Sequence, residues 1–231
     1  MSNINQKHFD EIMTSKPKAE LSDFDGKMGR RDKIITKLLH NYKIKDKSCL
    51  DIGPGTGRWI TFLKNHEASL VDGADLSKVV LEKCKKLCNN IYDVDLEHQK
   101  LNTKDDKYDI ILCLMVLEHI RSPENLIKEI IRISKNGSLV IFSIPNIISF
   151  VSRLRIILGQ LPLAIKQDKT HIKFYRKAEL DSLFKNFNQK VSVHPTSFSI
   201  NPLNTKSFRI RSNLMLAALD DHILFSLIIK K

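Results

Sequence analysis

The stretch Leu50-Asp51-Ile52-Gly53-Pro54-Gly55-Thr56-Gly57 constrains this chain more than any other. Its first residues read as a short buried strand, the glycines at 53, 55 and 57 as a tight bend, and Arg58-Trp59-Ile60 as the start of a helix. Such a passage builds a cradle for a nucleotide-containing cofactor. The bend brings backbone N–H groups against a ligand where a Cβ would obstruct it, and the helix adds the positive end of its dipole. The glycine spacing narrows the ligand. A dinucleotide fingerprint, G-x-G-x-x-G, would place its third glycine at position 58, which is Arg58; here it comes one residue earlier, so a nicotinamide dinucleotide takes second place. Roughly 20 residues on, a second predicted strand over 69–75 ends in Asp75, a carboxylate suited to ribose hydroxyls. Asp72 is the decoy in the same strand, and Asp75 has the alternative role of capping the helix that begins near Ser77.

The remaining pattern alternates strands and helices. Ile34, Ile35, Leu38 and Leu39 form the apolar stripe of a helix ahead of the first strand, 48–52. Ser77 opens a helix to about position 87, and a short strand follows at 91–94. The run 108–115 is almost unbroken in apolar residues, as a central parallel strand buried on both faces requires. Ser122 and Pro123 read as an N-cap and first turn of a helix that Asn136-Gly137 ends, and 138–144 as the fifth strand. A helix at 179–187 and strands at 190–194 and 222–229 complete the series. The expected fold is α/β: a Rossmann-like, doubly wound, mostly parallel sheet with helices on both faces, in which right-handed crossovers set the carboxyl ends of the first and fourth strands side by side.

The glycine bend, together with Gly73-Ala74-Asp75-Leu76-Ser77, Asp95-Leu96-Glu97, Tyr108-Asp109-Ile110-Ile111 and Leu117-Glu118-His119-Ile120, resembles the class I S-adenosylmethionine-dependent methyltransferases. The similarity runs from about position 30 onward and is closest to the branch of ubiquinone-biosynthesis O-methyltransferases and bacterial small-molecule methyltransferases. The resemblance implies a seven-stranded sheet with an antiparallel last strand and S-adenosyl-L-methionine as cofactor. It puts Asp51, Gly53, Pro54, Gly55, Thr56, Gly57 and Met115 beside the cofactor, Asp75 and Leu76 at its ribose, and Asp95 and Leu96 at its adenine. In the ubiquinone-pathway relatives a Glu-x-x-Glu-His pattern is associated with a divalent cation. Here its first position is Met115, so a hard ion such as magnesium loses a ligand, and no metal is expected.

Glu118 and His119 follow the fourth strand and belong at the rim where a methyl group would be presented, as the catalytic pair. Imidazole, with an unperturbed pKa of about 6.5, can take a proton from an attacking hydroxyl; the alternative is that His119 caps a turn or bonds a loop carbonyl. Residues 146–171 form a cap-like insertion with Asn146 and His171 as candidate substrate contacts. Its core, 147–158, is an apolar helix broken by Arg153 and Arg155 and ended by Gly159 and Pro162. It reads as a cap over the substrate pocket, as a surface resting on lipid or a partner, or as an ordinary packed helix.

At 231 residues and 42% hydrophobic, the chain suits one methyltransferase domain over 29–231 preceded by a polar extension over 1–28. The polar start without a signal-peptide core leads to the expectation of a cytoplasmic address. Cys49, Cys84, Cys88 and Cys113 form no C-x-x-C pair and read as reduced core residues. The net charge of +12 attracts anions, but the lysines are scattered and form no RNA-binding pattern, so nucleic acid is not the expected partner. The functional expectation is methyl transfer to a small-molecule acceptor, at a hydroxyl of a cell-surface sugar or a lipid- or quinone-like precursor. The alternatives are a cofactor-binding subunit without activity and an RNA or protein methyltransferase. Specificity is expected in the cap and in 196–220, whose composition names no ligand.

Overall fold

The computed structural model describes residues 6–7, 10–11, 14, 28–168, 170–194 and 222–231. Its elements run α1 (Arg30–Tyr42), β1 (Ser48–Ile52), α2 (Arg58–Asn65), β2 (Leu70–Asp75), α3 (Lys78–Cys84), β3 (Ile91–Asp93) and β4 (Tyr108–Leu114). A 3₁₀ turn at Leu117–His119 leads to α4 (Glu124–Ile133), β5 (Ser134–Pro145), α5 (Phe150–Ile157), α6 (Leu163–Gln167), α7 (Lys177–Lys185), β6 (Ser192–His194) and β7 (His222–Ile228). The strands form one sheet in the order β3-β2-β1-β4-β5-β7-β6. Pairings are parallel from β3 through β5, and β7 runs antiparallel to both β5 and β6. β1 and β4 are neighbours, as the crossover rule requires, so the chain segments leaving their carboxyl ends emerge together.

β4 shows why its sequence is apolar without a break from Ile110 to Leu114. Ile111 and Cys113 join one core with α4, α7, Phe142 and Phe225, while Ile110 and Leu112 join the other with α1, α2 and α3. A strand sandwiched this way has no solvent face on which to place a polar residue. The decoy Asp72 is fully buried and structural. Its carboxylate accepts from Tyr108 Oη (2.8 Å), Lys107 Nζ (2.7 Å) and Asn90 Nδ2 (2.9 Å), so its charge is compensated in place.

Three helix boundaries differ from expectation. Ser122 is not the cap of α4: Pro123 occupies that position, and the Ser122 N–H donates to Glu97 Oε1 at 3.0 Å. Asn136-Gly137 does not end that helix either, because β5 already begins at Ser134. The pairing with β4 jumps from Tyr108↔Ser134 to Ile110↔Leu139, and Gly137, at φ 81°, lies in this bulge with its N–H donating to the Ile229 carbonyl. A glycine at positive φ serves a bulge as well as a helix end, and sequence alone does not separate the two. The helix at Ser77 also stops at Cys84, which leaves Cys88 beyond it; all four cysteines are buried and free. Residues 196–220, expected to carry specificity, lie outside the described residues.

Candidate active site

The bend after β1 has Gly53, Gly55 and Gly57 at φ 70°, 56° and 80°. The obstruction expected from a Cβ is more varied than the motif implies. At Gly53 it would come within 2.5 Å of Val116 Cγ2 and at Gly57 within 2.4 Å of Leu87 Cδ1, so both clashes are with the protein itself, whereas beside Gly55 no atom of the described residues lies within 4 Å. The Gly53 N–H donates to Ala74 O and the Gly57 N–H to Pro54 O, both at 2.9 Å. Gly53 and Gly57 therefore hold the loop's shape, and the middle of the loop faces open space. Only Gly55 matches the ligand-facing role that the sequence assigns to all three.

Acids from β1 and β2 converge behind this loop. Asp51 is almost fully buried with Oδ2 unpartnered, and burial, reinforced by the charge of Asp75, pushes it up to about 8. Asp75 is raised to about 6 by burial, against the lowering effect of the Ser77 and Leu76 N–H groups. Asp75 Oδ1 accepts from the Ser77 N–H at 2.8 Å while the Ser77 hydroxyl accepts from the Val80 N–H, so Ser77 is the cap and Asp75 braces it. Asp95, after β3, is turned to its own loop: Oδ1 accepts from the Glu97 N–H and Oδ2 pairs with His98. Leu96 packs in the core. Sequence reading missed Asp10, whose side chain accepts the Ser77 hydroxyl and, at 3.3 Å, the Val79 N–H. Nothing in a polar terminal segment distinguishes this aspartate from its neighbours.

Beyond β4 the chain turns through Met115, at φ 59°, whose N–H donates to Ser143 O at 2.8 Å. The 3₁₀ turn then buries Glu118 completely, with neither carboxylate oxygen hydrogen-bonded. Burial pushes this carboxyl up to about 8, its own backbone N–H opposes the rise, and Asp168 adds to it. The Glu118 carbonyl accepts from Ile172 and Lys173, which ties the end of the insertion to this turn. His171 is thereby brought in, its Nε2 at 3.9 Å from both Glu118 Oε1 and Asp168 Oδ2. His171 Nδ1 lies 2.8 Å from Ala164 O and His119 Nδ1 lies 3.2 Å from Thr170 O. A carbonyl only accepts, and the Thr170 hydroxyl, 3.1 Å from His119 Nδ1, already donates to Asp168 Oδ1, so each Nδ1 carries hydrogen and the neutral form of each ring has its lone pair on Nε2. The two rings are 4.8 Å apart. Asn146, buried after β5, accepts the Ile148 N–H and opens the insertion.

Glu118, His119 and His171 thus come together, and the structure adds Asp168 and Thr170, which no motif had marked. Asp168 is lowered despite its burial, because Thr170 bonds it through hydroxyl and N–H and the two imidazoles lie nearby. Glu118, His119 and His171 each offer one ligand-capable atom, all within 4.8 Å of one another. One carboxylate with two imidazoles does not fit magnesium, which takes near-octahedral oxygen ligands.

A family profile described as a methyltransferase domain matches residues 27–192. The ubiquinone biosynthesis O-methyltransferase of Coxiella burnetii (strain RSA 331 / Henzerling II) is 30% identical over 59% of this chain and 61% of its own length. The chain therefore spans about six tenths of that curated relative. The enzyme of the same name from Vibrio atlanticus is 30% identical over 78% of this chain and 80% of its own length. The structure of magnesium protoporphyrin IX methyltransferase from Synechocystis PCC 6803 with bound SAH superposes with a TM-score of 0.65 at 15% identity, covering 100% of both chains.

Proposed function

This chain belongs to the class I S-adenosylmethionine-dependent methyltransferases, and we propose that it moves the methyl group to a hydroxyl oxygen of a small-molecule acceptor, of the cell-surface sugar or lipid- and quinone-precursor kind. The observation that carries this reading is the adjacency of the β1 bend and the Glu118-His119-His171 cluster at the carboxyl ends of neighbouring strands. Relatives named as O-methyltransferases support oxygen as the attacking atom.

When bound, S-adenosyl-L-methionine supplies an electrophilic methyl group on a sulfonium that leaves without protonation. The chain's own task is then to align, to exclude water and to take one proton. The loop 53–57 with Asp51 and Met115 would hold the methionine portion, Asp75 and Leu76 the ribose, and Asp95 and Leu96 the adenine. The unpartnered Asp51 oxygen and the open space beside Gly55 fit a polar ligand there. His119 Nε2 takes the acceptor's hydroxyl proton, with Nδ1 anchored on Thr170 O so that the ring presents one face. Glu118, neutral at physiological pH because of its burial, keeps that pocket free of a competing anion until a proton moves. His171 and Asn146, from the two ends of the insertion, would contact the acceptor.

Formation of S-adenosylhomocysteine across a panel of hydroxylated acceptors, total RNA and total protein tests the reading. Turnover with a small hydroxylated acceptor supports it. Turnover confined to RNA or protein defeats it, as does donor binding without turnover on any acceptor. His119→Ala tests the base separately: full turnover would leave alignment as the whole mechanism.

A further inference from the structure

Asp168, the residue after α6, brings a negative charge to the Glu118-His119-His171 cluster. Burial by itself would raise its carboxyl, but the Thr170 hydroxyl and N–H that bond it, with the imidazoles nearby, outweigh burial and hold it below its ordinary range. Glu118 goes the opposite way: it is fully buried with neither oxygen bonded among the described residues, and burial pushes it up to about 8. Two acids beside the same pair of rings therefore carry different charges at neutral pH, Glu118 neutral and Asp168 negative. Arg31 of α1 is the further charged group acting on Glu118, and it opposes the rise.

The bonds around Asp168 run in one direction. His119 Nδ1, which carries hydrogen, lies 3.1 Å from Thr170 Oγ and 3.2 Å from Thr170 O. The Thr170 hydroxyl in turn donates to Asp168 Oδ1, which also accepts the Thr170 N–H at 2.9 Å. The result is a relay from imidazole to hydroxyl to carboxylate, a His–Asp pair with one oxygen interposed. A hydroxyl that donates to an anion is itself a stronger acceptor, so the charge of Asp168 is felt at the ring. Asp168 Oδ2 lies toward the second imidazole, 3.9 Å from His171 Nε2.

We propose that Asp168 is a positioning residue for methyl transfer: through Thr170 it orients His119 with Nε2 free, and it balances the charge of the imidazolium formed there. The proposal rests on the reading of His119 as the base. As the acceptor oxygen takes the methyl group, breaking its bond to the sulfonium sulfur and leaving a neutral thioether, the oxygen's proton passes to His119 Nε2. The step therefore moves one positive charge from the donor to the ring. A neutral Glu118 does not compensate that charge, whereas a fixed anion two bonds away does. Sequence alone hides the role, because an aspartate two residues before a threonine also reads as an ordinary turn.

Asp168→Asn separates charge from shape, since the asparagine carbonyl accepts the same two bonds and keeps the turn. NMR titration of the His119 imidazole in the ligand-free full chain reads the relay without turnover. Its midpoint is expected to fall by about one pH unit in Asp168→Asn, because loss of a nearby anion disfavours the imidazolium. Thr170→Val, which removes the interposed hydroxyl, should lower the midpoint in the same direction, and Thr170→Ser should keep the parent midpoint. In turnover, Asp168→Asn is expected to lower kcat about tenfold with KM unchanged and to move the acid limb of the kcat profile to lower pH. Should Asp168→Asn fail to fold, the Thr170→Val midpoint decides. An unchanged midpoint overturns the proposal, and so does a parent-like kcat in folded Asp168→Asn. A parent chain that turns over no hydroxylated acceptor instead defeats the function proposed above, and the catalytic half of this proposal with it.

Discussion

The bend after β1 and the insertion after β5 border the same site, yet they are held in opposite ways. The bend is fixed from inside the domain: Gly53 fits under Val116, Gly57 under Leu87, and the Gly53 amide is bonded to Ala74 of β2 and the Gly57 amide to Pro54 within the loop. The insertion meets the domain through two serines, through Ile172 and Lys173 bonded to Glu118 O, and through the His171 contact with the Glu118 carboxyl, while its large side chains face outward. A site that must bind one invariant cofactor gains from a cradle specified by packing. A site that must admit one acceptor among many is built on a segment whose surface is free to vary. Each region nonetheless borders one buried acid with an unpartnered oxygen among the described residues, Asp51 behind the bend and Glu118 beside the insertion.

The largest expected effect tests that shared feature. Both carboxyls rise from their ordinary range near 4 to about 8, chiefly through burial. Between those values the unfolded chain releases protons that the folded chain keeps, so this contribution to stability is fully present below about pH 4, declines as pH rises, and is lost above about pH 8. Urea denaturation of the ligand-free protein at about pH 5 and about pH 9 should differ by several kcal/mol, and Asp51→Asn and Glu118→Gln should each remove part of the slope. Equal stability at the two pH values would show that both acids are partnered in solution.

Next in size is His119→Ala, expected to lower kcat by on the order of 10² to 10⁴ while leaving the donor's Kd unchanged by calorimetry. A matching loss of donor affinity would merge the two halves into one unit. Gly57→Ala combines a left-handed backbone with a clash against Leu87 and should cost about 2–4 kcal/mol in chemical denaturation. Gly55→Ala, with open space around it, should cost only about 1 kcal/mol while weakening donor binding, so the pair separates fold from ligand within one loop. The smallest effect belongs to the insertion: Leu154→Ser, at an exposed position, should change stability by less than about 0.5 kcal/mol. A large destabilisation there would mean that the outward face of α5 is covered in solution.

The fold was legible because its signals are local and strong. The doubly buried run of β4, the glycine bend, and the Ser77 cap each follow from a few neighbouring residues, and the adjacency of β1 and β4 follows from crossover handedness, whereas the antiparallel last strand came from the family resemblance alone. Asp75 became a candidate by its spacing from the bend, and Asp72, three residues earlier, was separated from it only by position in the strand; the structure shows that Asp72 is partnered internally by Lys107, Tyr108 and Asn90. Misread boundaries occurred where one residue type serves two geometries, as with Gly137 in a bulge and Ser122 beside a proline.

By itself the sequence determined the alternation of strands and helices, the glycine bend and the candidacy of Glu118 and His119, because periodicity, glycine spacing and strand ends are encoded within short windows. Only tertiary structure decided that His171, some fifty residues away in the chain, stands between Glu118 and Asp168, that the Glu118 carboxyl lacks a hydrogen-bond partner among the described residues, and that α5 faces outward. Those are facts of long-range contact and burial, and burial depends on what the rest of the chain leaves uncovered.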